Sequence, residues 1–229
     1  SGTLISTKGT MTPRLELAFA DLHGVAHGVA LSSGTASVHT ALAALGITSG
    51  DEVLTSPITD MGAILPILYQ GATPVFADVD PDTYTVTAET LAAAMTPRTR
   101  AIIVTHLFGH PCDMHPILAL ASRNRVPVIE DCSQAFLAEH NGRLVGTMGT
   151  IGCFSLQQGK HMTCGEGGAL LLNDAALVDR AEIIREKGTD RSRFFRGEVD
   201  RYTWVDIGSS YLPSDLLGAY LWAQLESSD

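Results

Sequence analysis

Residues 126–134 read VPVIEDCSQ, an apolar run that ends in two adjacent carboxylates. Within the predicted strand 126–130, apolar residues follow one another without alternation, the pattern of a strand buried on both faces of a sheet. Five other runs share this pattern, at 52–55, 73–77, 101–105, 152–155 and 169–172. Segments with helical patterns separate them, at 35–45, 61–70, 88–94, 114–124, 175–187 and 214–226. The sequence therefore predicts an α/β fold of three layers, a mostly parallel sheet sandwiched by helices.

The composition is that of a globular protein with a sizeable core. The chain has 229 residues, 45% of them hydrophobic and 17% charged, which suits one large α/β domain. Its net charge of −10 argues against nucleic acid as a partner, because phosphate binding needs a basic surface. No apolar run approaches the length of a membrane span and no signal peptide opens the chain. These features predict a cytoplasmic protein with no membrane partner.

The cysteine pattern bears on metal binding. Four cysteines lie at positions 112, 132, 153 and 164, and none forms a Cys-x-x-Cys pair. That spacing argues against structural zinc, so we expect reduced, buried thiols and no bound metal.

A carboxylate and a lysine 29 residues apart indicate the chemistry. Asp131 stands at the end of the predicted strand 126–130, where α/β folds place their sites. Lys160 lies in the glycine-rich stretch 153–168, which reads CFSLQQGKHMTCGEGG. Pyridoxal phosphate needs an amine for a Schiff base, an anion facing its ring nitrogen and donors for its phosphate. The pair therefore predicts a pyridoxal phosphate site, with Lys160 as the amine and Asp131 as the anion.

Each of these residues also has an interpretation without a cofactor. Lys160 could be a surface lysine in a flexible loop, and Asp131 could cap a following helix. Glu130 could be the functional acid in place of Asp131, or could form a salt bridge at the strand end. Gln134 suits a contact with the phenolic oxygen of the cofactor or with its ring, and is otherwise an ordinary loop residue.

A helix start that follows an apolar run predicts the phosphate site. Residues 32–36 read SSGTA and open the predicted helix 35–45. Free N–H groups and the positive end of the helix dipole favour an anion there, which makes Gly34 and Thr35 candidate ligands. Ser155, at the end of the predicted strand 152–155, is a third candidate. The alternative is a helix start that binds nothing and a serine that forms a turn.

Two weaker features remain. The basic stretch 187–204 could bind a diphosphate through Arg191, Arg193 or Arg196, and the alternative is a solvated loop. His106 and His110 follow a predicted strand, and we expect structural histidines there rather than site residues.

The motifs occur in one order along nearly the whole chain. They are SGTA at 33–36, GDEV at 50–53, GATPV at 71–75, Asp131-x-x-Gln134, Ser155 with Lys160, and GEGG at 165–168. With this set the chain resembles the sugar aminotransferases of the DegT/DnrJ/EryC1/StrS family, which are fold-type I pyridoxal phosphate enzymes.

The resemblance implies catalytic roles. Lys160 would be the Schiff-base lysine and the proton shuttle, and Asp131 would pair with the pyridine nitrogen. Gln134 would contact the phenolic oxygen. Related dehydratases have histidine in place of the lysine, so Lys160 favours amino transfer.

The resemblance also implies the phosphate contacts. Gly34, Thr35 and Ser155 would bind the cofactor phosphate. Ser210 stands where many relatives have an asparagine that reaches the phosphate of a partner subunit, and it could donate one hydrogen bond. Many relatives also place an aromatic ring over the cofactor. The matching residues 58–61 read ITDM, so Met61 and its neighbours, or another segment, would cover the ring.

Two parts of the chain resemble enzymes with different substrates. Residues 166–226 resemble enzymes that aminate the 4-keto group of a dTDP-4-keto-6-deoxyhexose, with glutamate or glutamine as the amino donor. Residues 59–62 and 155–160 resemble broader members, some of which aminate cyclitol ketones such as scyllo-inosose. A noncatalytic regulator that binds pyridoxal phosphate and a purely structural α/β module are the competing classes.

Domain organisation is the last implication. Residues 1–229 would be the pyridoxal phosphate-binding large domain of a homodimer, and the smaller C-terminal domain of the family is missing. Both domains and the partner subunit enclose the site in the family and exclude water. We therefore expect little or no turnover from the 229-residue chain alone.

Overall fold

The computed structural model describes residues 8–227. Its helices are α1 (Met11–His23), α2 (Gly34–Ala44), α3 (Met61–Tyr69), α4 (Ala88–Ala94), α5 (Met114–Asn124), α6 (Val178–Arg185), α7 (Arg191–Phe195) and α8 (Asp215–Leu225). Its strands are β1 (His27–Leu31), β2 (Glu52–Thr55), β3 (Thr73–Phe76), β4 (Thr99–Thr105), β5 (Val128–Asp131), β6 (Glu139–His140), β7 (Arg143–Leu144), β8 (Ile151–Ser155) and β9 (Gly168–Leu172). None of the helices in this range has the length and apolar character needed to cross a membrane.

Seven strands form one sheet in the order β1-β9-β8-β5-β4-β2-β3. Strands β3, β2, β4, β5 and β8 run parallel, and β9 is antiparallel to both β8 and β1. Strands β6 and β7 form a separate hairpin. The predicted α/β fold with a mostly parallel sheet is confirmed.

Neighbouring residues of β5 pack on opposite faces of the sheet. Ile129 belongs to the core cluster that α2 covers, whereas Val128 belongs to the cluster that α5 covers. Side chains alternate along a strand, so Asp131 shares the face of Ile129 and Glu130 shares the face of Val128. This alternation separates the two adjacent carboxylates.

The sequence predictions of the elements hold with local exceptions. All six predicted strands are present, with ends that shift by one or two residues. The predicted helix 175–187 is wrong at its start, because Asp174 accepts a hydrogen bond from Ala176 N–H and caps a short 3-10 turn before α6. The predicted burial of strand 73–77 on both faces is also wrong, since β3 lies at the sheet edge and Phe76 is 49% exposed. Helices α1 and α7, strand β1 and the β6–β7 hairpin were not predicted.

A carboxylate near the C-terminal end of the described chain caps the first helix. The Asp215 carboxylate accepts hydrogen bonds from the N–H groups of Thr10, Met11 and Thr12, at 3.2, 3.1 and 2.8 Å. The N-cap residue Thr10 makes no side-chain cap of its own. A Cβ on Gly9 would lie 2.2 Å from the Asp215 carboxyl carbon, so only glycine lets the carboxylate come this close. Asp215 therefore joins α8 to α1.

We expect Asp215→Ala to lower the free energy of unfolding by about 1–3 kcal/mol, because three N–H groups lose their acceptor. Asp215→Asn keeps one acceptor oxygen and should cost less. Urea denaturation checks both, with Asp82→Ala as the control, since Asp82 is exposed and its carboxylate makes no hydrogen bond within residues 8–227. Equal stability of Asp215→Ala and the control would contradict the capping role.

Candidate functional site

A cavity of about 310 Å³ opens at the carboxyl ends of the parallel strands. Seven site residues were predicted from the sequence, and six of them line this cavity: Gly34, Thr35, Asp131, Gln134, Ser155 and Lys160. They come from α2, from the ends of β5 and β8, and from the turns that follow these strands. The fold therefore brings together residues that lie up to 126 positions apart in sequence (Lys160 minus Gly34).

Asp131 is the buried acid of the cavity. It ends β5 on the face that α2 covers, and its side chain is nearly inaccessible to solvent. Its Oδ1 accepts a hydrogen bond from Ser133 N–H at 3.0 Å. Burial raises the pKa of Asp131 above its ordinary value, although hydrogen bonds from Ser133 and the positive charge of Lys160 lower it in part. A cation beside this carboxylate would favour its ionised form.

Glu130 belongs to a different environment on the other face. Its carboxylate bonds to His106 Nε2 at 3.0 Å and accepts N–H bonds from Gly146, Met148 and Gly149. Burial alone would raise the pKa of Glu130, yet the bonds from His106 and from backbone N–H groups hold it below its ordinary value. Glu130 does not line the cavity. The alternative that Glu130 replaces Asp131 as the acid of this cavity is therefore wrong.

Lys160 reaches the cavity from the turn between β8 and β9. Its backbone N–H donates to Gln157 O at 2.9 Å, which fixes the turn. The side chain is half-buried, and its Nζ has no hydrogen-bond partner within residues 8–227. The interpretation of Lys160 as a loop lysine outside any site does not fit this placement. The amine and the Asp131 carboxylate share one cavity.

The start of α2 also lines the cavity. The Ser33 hydroxyl caps the helix by accepting Ala36 N–H at 3.0 Å. In the part of the chain that the structure describes, the N–H groups of Gly34 and Thr35 have no partner. A Cβ on Gly34 would lie 2.7 Å from Ser155 Cβ, so glycine allows the helix to meet the end of β8. Two free N–H groups and a hydroxyl therefore converge where an anion would sit.

Two threonines complete the polar wall. Thr59 and Thr105 both line the cavity, and their hydroxyl oxygens lie 3.1 Å apart. Thr105 was not predicted as a site residue from the sequence. It ends a predicted strand, and in the sheet it pairs in register with Asp131. Only the strand order could have identified it, because β4 and β5 become neighbours through a helical crossover.

No aromatic side chain within residues 8–227 lines the cavity. Met61 was expected to cover a cofactor ring, but its side chain is about half exposed and does not line the cavity. Its neighbours Thr59, Asp60 and Gly62 do line it. The neighbours of Met61 thus line the cavity and Met61 does not, while coverage of a cofactor ring by these neighbours or by another segment stays a prediction.

Ser210 lies outside the cavity. It forms an isolated antiparallel bridge with Glu186. The three arginines predicted as diphosphate ligands are paired with acids of their own chain: Arg191 bonds to Glu186 at 2.8 Å, and Arg196 pairs with Asp179, Glu182 and Glu198. Arg193 pairs with Glu198 at 3.3 Å. These guanidinium groups are neutralised where they stand, which disfavours the diphosphate interpretation of this stretch.

The whole chain has known relatives. The model of the DegT/DnrJ/EryC1/StrS aminotransferase family matches residues 1–229. The GDP-perosamine synthase of Escherichia coli O157:H7 is 39% identical over 228 residues, which cover 99% of this chain and 60% of that protein. The L-glutamine:2-deoxy-scyllo-inosose aminotransferase of Micromonospora echinospora is 40% identical over 225 residues, 97% of this chain and 54% of that protein.

Solved structures of aminotransferases have a similar fold. The X-ray structure of the aminotransferase from Psychrobacter cryohalolentis superposes with a TM-score of 0.90 at 36% identity, covering 96% of this chain and 56% of that one. The chain thus spans at most about 60% of the length of these relatives.

Proposed function

The chain belongs to the DegT/DnrJ/EryC1/StrS aminotransferase family, and on that premise we propose that it is the cofactor-binding large domain of a sugar aminotransferase. Pyridoxal phosphate is the cofactor of this family. One observation carries the proposal: Lys160, Asp131 and the free N–H groups at the start of α2 line a single cavity. An amine, a buried acid and an anion site are the three groups that this cofactor needs.

The residues present fit the cofactor. The cavity, about 310 Å³ in volume, is lined both by residues with unpaired N–H donors, Gly34 and Thr35, and by Asp131. When bound, pyridoxal phosphate supplies a carbonyl carbon that exchanges amino groups and a ring that withdraws electrons. Gly34, Thr35 and Ser155 donate hydrogen bonds to its phosphate in this proposal.

The two charged residues carry the chemistry. Lys160 would provide the amine that holds the cofactor, and its free Nζ would then move a proton between the two carbon atoms that flank the transferred nitrogen. Asp131 keeps the ring nitrogen protonated, since a buried carboxylate strongly favours a cation beside it. Gln134 donates to the phenolic oxygen from its Nε2, because its Oε1 is already occupied by Phe108 N–H.

The proposal includes a homodimer in which Ser210 serves the partner subunit. Ser210 lies outside the cavity of its own chain, on a backbone segment bridged to Glu186. We propose that its hydroxyl donates to the cofactor phosphate bound by the partner subunit.

The expected lack of turnover by the 229-residue chain alone also stays a prediction.

The substrate proposal is a keto sugar linked to a nucleotide, aminated with glutamate or glutamine as donor. The finer proposal is a dTDP-4-keto-6-deoxyhexose, carried by the resemblance of residues 166–226. The similarity to a GDP-perosamine synthase supports a nucleotide sugar without favouring dTDP. A cyclitol ketone is the second candidate, favoured by the 40% identity to a 2-deoxy-scyllo-inosose aminotransferase.

Stepwise spectroscopy tests the proposed function. Pyridoxal phosphate is added to the purified 229-residue chain to test cofactor binding. For turnover, the cofactor is added to the full natural polypeptide. We expect a visible absorbance band that disappears when glutamate or glutamine is added and returns when the keto substrate is added. Parallel assays with a dTDP-, a GDP- and a cyclitol ketone identify the acceptor.

Two outcomes would replace the proposal. In the full natural polypeptide, a stable band that no amino donor removes would indicate a noncatalytic regulator. Absence of any band would indicate a structural module and reject the cofactor site.

A further inference from the structure

A backbone turn holds the side-chain amide of Gln134 in one orientation. Its Oε1 accepts a hydrogen bond from Phe108 N–H at 2.8 Å. An N–H can bond only to the oxygen of an amide, so this contact determines which end faces the turn. Gln134 lines the cavity, and its Nε2 has no hydrogen-bond partner within residues 8–227. The amide therefore offers a ligand its NH2 group and not its oxygen.

Phe108 adopts an unusual backbone conformation to make this contact. Its φ is 50° and its ψ is 30°, in the left-handed region. For a residue with a Cβ this region costs about 1–2 kcal/mol. The Phe108 ring is 84% exposed, so packing of the ring within this chain does not offset that cost. The turn contains two backbone bonds, from Gly109 N–H to His106 O and from His110 N–H to Leu107 O, and its one bond to a cavity side chain is the bond from Phe108 N–H to Gln134.

Buried contacts of His106 anchor the turn. Its Nε2 lies 3.0 Å from Glu130 Oε2, and its Nδ1 accepts Cys112 N–H at 3.1 Å. Its backbone N–H donates to Asp131 O at 3.1 Å. Strand β5 therefore carries the cavity acid and also fixes the turn that faces Gln134.

We propose that the left-handed backbone of Phe108 is a positioning element, which aims the NH2 group of Gln134 at the ring oxygen of the cofactor. The inference rests on the proposed function, in which Gln134 contacts that oxygen. It assigns the role to the backbone of Phe108 and not to its ring.

A pair of substitutions separates backbone from ring. Phe108→Gly and Phe108→Val both remove the ring and keep the N–H, but only glycine adopts a positive φ without strain. With pyridoxal phosphate bound, we expect Phe108→Gly to keep the wild-type absorbance maximum and a dissociation constant within about twofold. Phe108→Val should shift the maximum and raise the dissociation constant about three- to tenfold, the value of one neutral hydrogen bond. Phe108→Ala should fall between them, and it replaces Phe108→Val if the latter does not fold.

Tyr84 provides the matched control. It is an exposed aromatic residue with a φ of 58°, and it does not line the cavity. Tyr84→Gly and Tyr84→Val should leave the spectrum and the dissociation constant unchanged. In a Gln134→Ala background, the glycine and valine variants at position 108 should no longer differ.

The result can overturn the inference in two ways. Equal shifts in the glycine and valine variants would assign the effect to the ring, and no shift in either would show that Gln134 needs no positioning. Failure of the proposed function is a separate outcome, because the unsubstituted protein would then show no Lys160-dependent band.

Discussion

Replacing Lys160 with alanine is expected to abolish the visible band formed with pyridoxal phosphate and to lower amino transfer by at least about 10³-fold, within the range that acid–base groups contribute. Both losses would have one cause, since in the proposed function the same Nζ holds the cofactor and moves the proton. Lys160→Arg should fail equally, because a guanidinium keeps the charge but is not a nucleophilic amine at neutral pH.

The other lysines of the chain serve as controls. The sequence contains only two, Lys8 and Lys187, and neither lines the cavity. Lys187→Ala should keep the band and its intensity, measured by absorbance titration against the same cofactor concentrations. A band that survives in Lys160→Ala and disappears in Lys187→Ala would show that the amine has been assigned to the wrong residue.

Asp131→Asn is expected to weaken cofactor binding about 10- to 100-fold, because a hydrogen bond to a charged group contributes about 1.5–3 kcal/mol. Transfer at saturating cofactor should also fall, since an amide does not hold the ring nitrogen protonated. Dissociation constants and rates at saturation separate these two effects.

The same substitution should have the opposite effect on the stability of the cofactor-free protein. Burial raises the pKa of Asp131 in the folded chain, so the folded state binds its proton more tightly than the unfolded state. The stability that this group contributes is complete below its unfolded pKa and is lost as pH rises through the folded pKa. The advantage of Asp131→Asn over the wild type in urea denaturation should therefore grow from about pH 4 upward and then level off.

Glu130→Gln is the control for this prediction. Glu130 is adjacent in sequence, but it accepts three backbone N–H bonds on the other face of the sheet. Its substitution should lower stability by about 1–3 kcal/mol and shift the absorbance maximum less than Asp131→Asn does, because Glu130 acts on the cavity only through His106 and the Phe108 turn. A spectral change in Glu130→Gln as large as in Asp131→Asn would contradict the division of roles between the two carboxylates.

Much of the fold could be predicted because its strands are fully buried. Continuous apolar runs located all six predicted strands, including β2 at its observed bounds. Edge positions were less predictable. β3 carries the same apolar pattern, yet Phe76 is half exposed because no strand lies beyond it among the described residues. Helix α1 depends on Asp215, an acceptor more than 200 residues away, which no local pattern indicates.

The sequence by itself determined the chemical groups of the site and their order along the chain: the amine, the acid, the helix start and the serine. These follow from residue type and from positions at strand ends, which local patterns contain. Only the tertiary structure decided which groups meet. It placed Asp131 in the cavity and Glu130 on the other face of the sheet. It also brought Thr105 of the neighbouring strand into the cavity wall, and it oriented the Gln134 amide through Phe108 N–H. The physical reason is that strand order, the packing face and the direction of one N–H depend on contacts between distant segments.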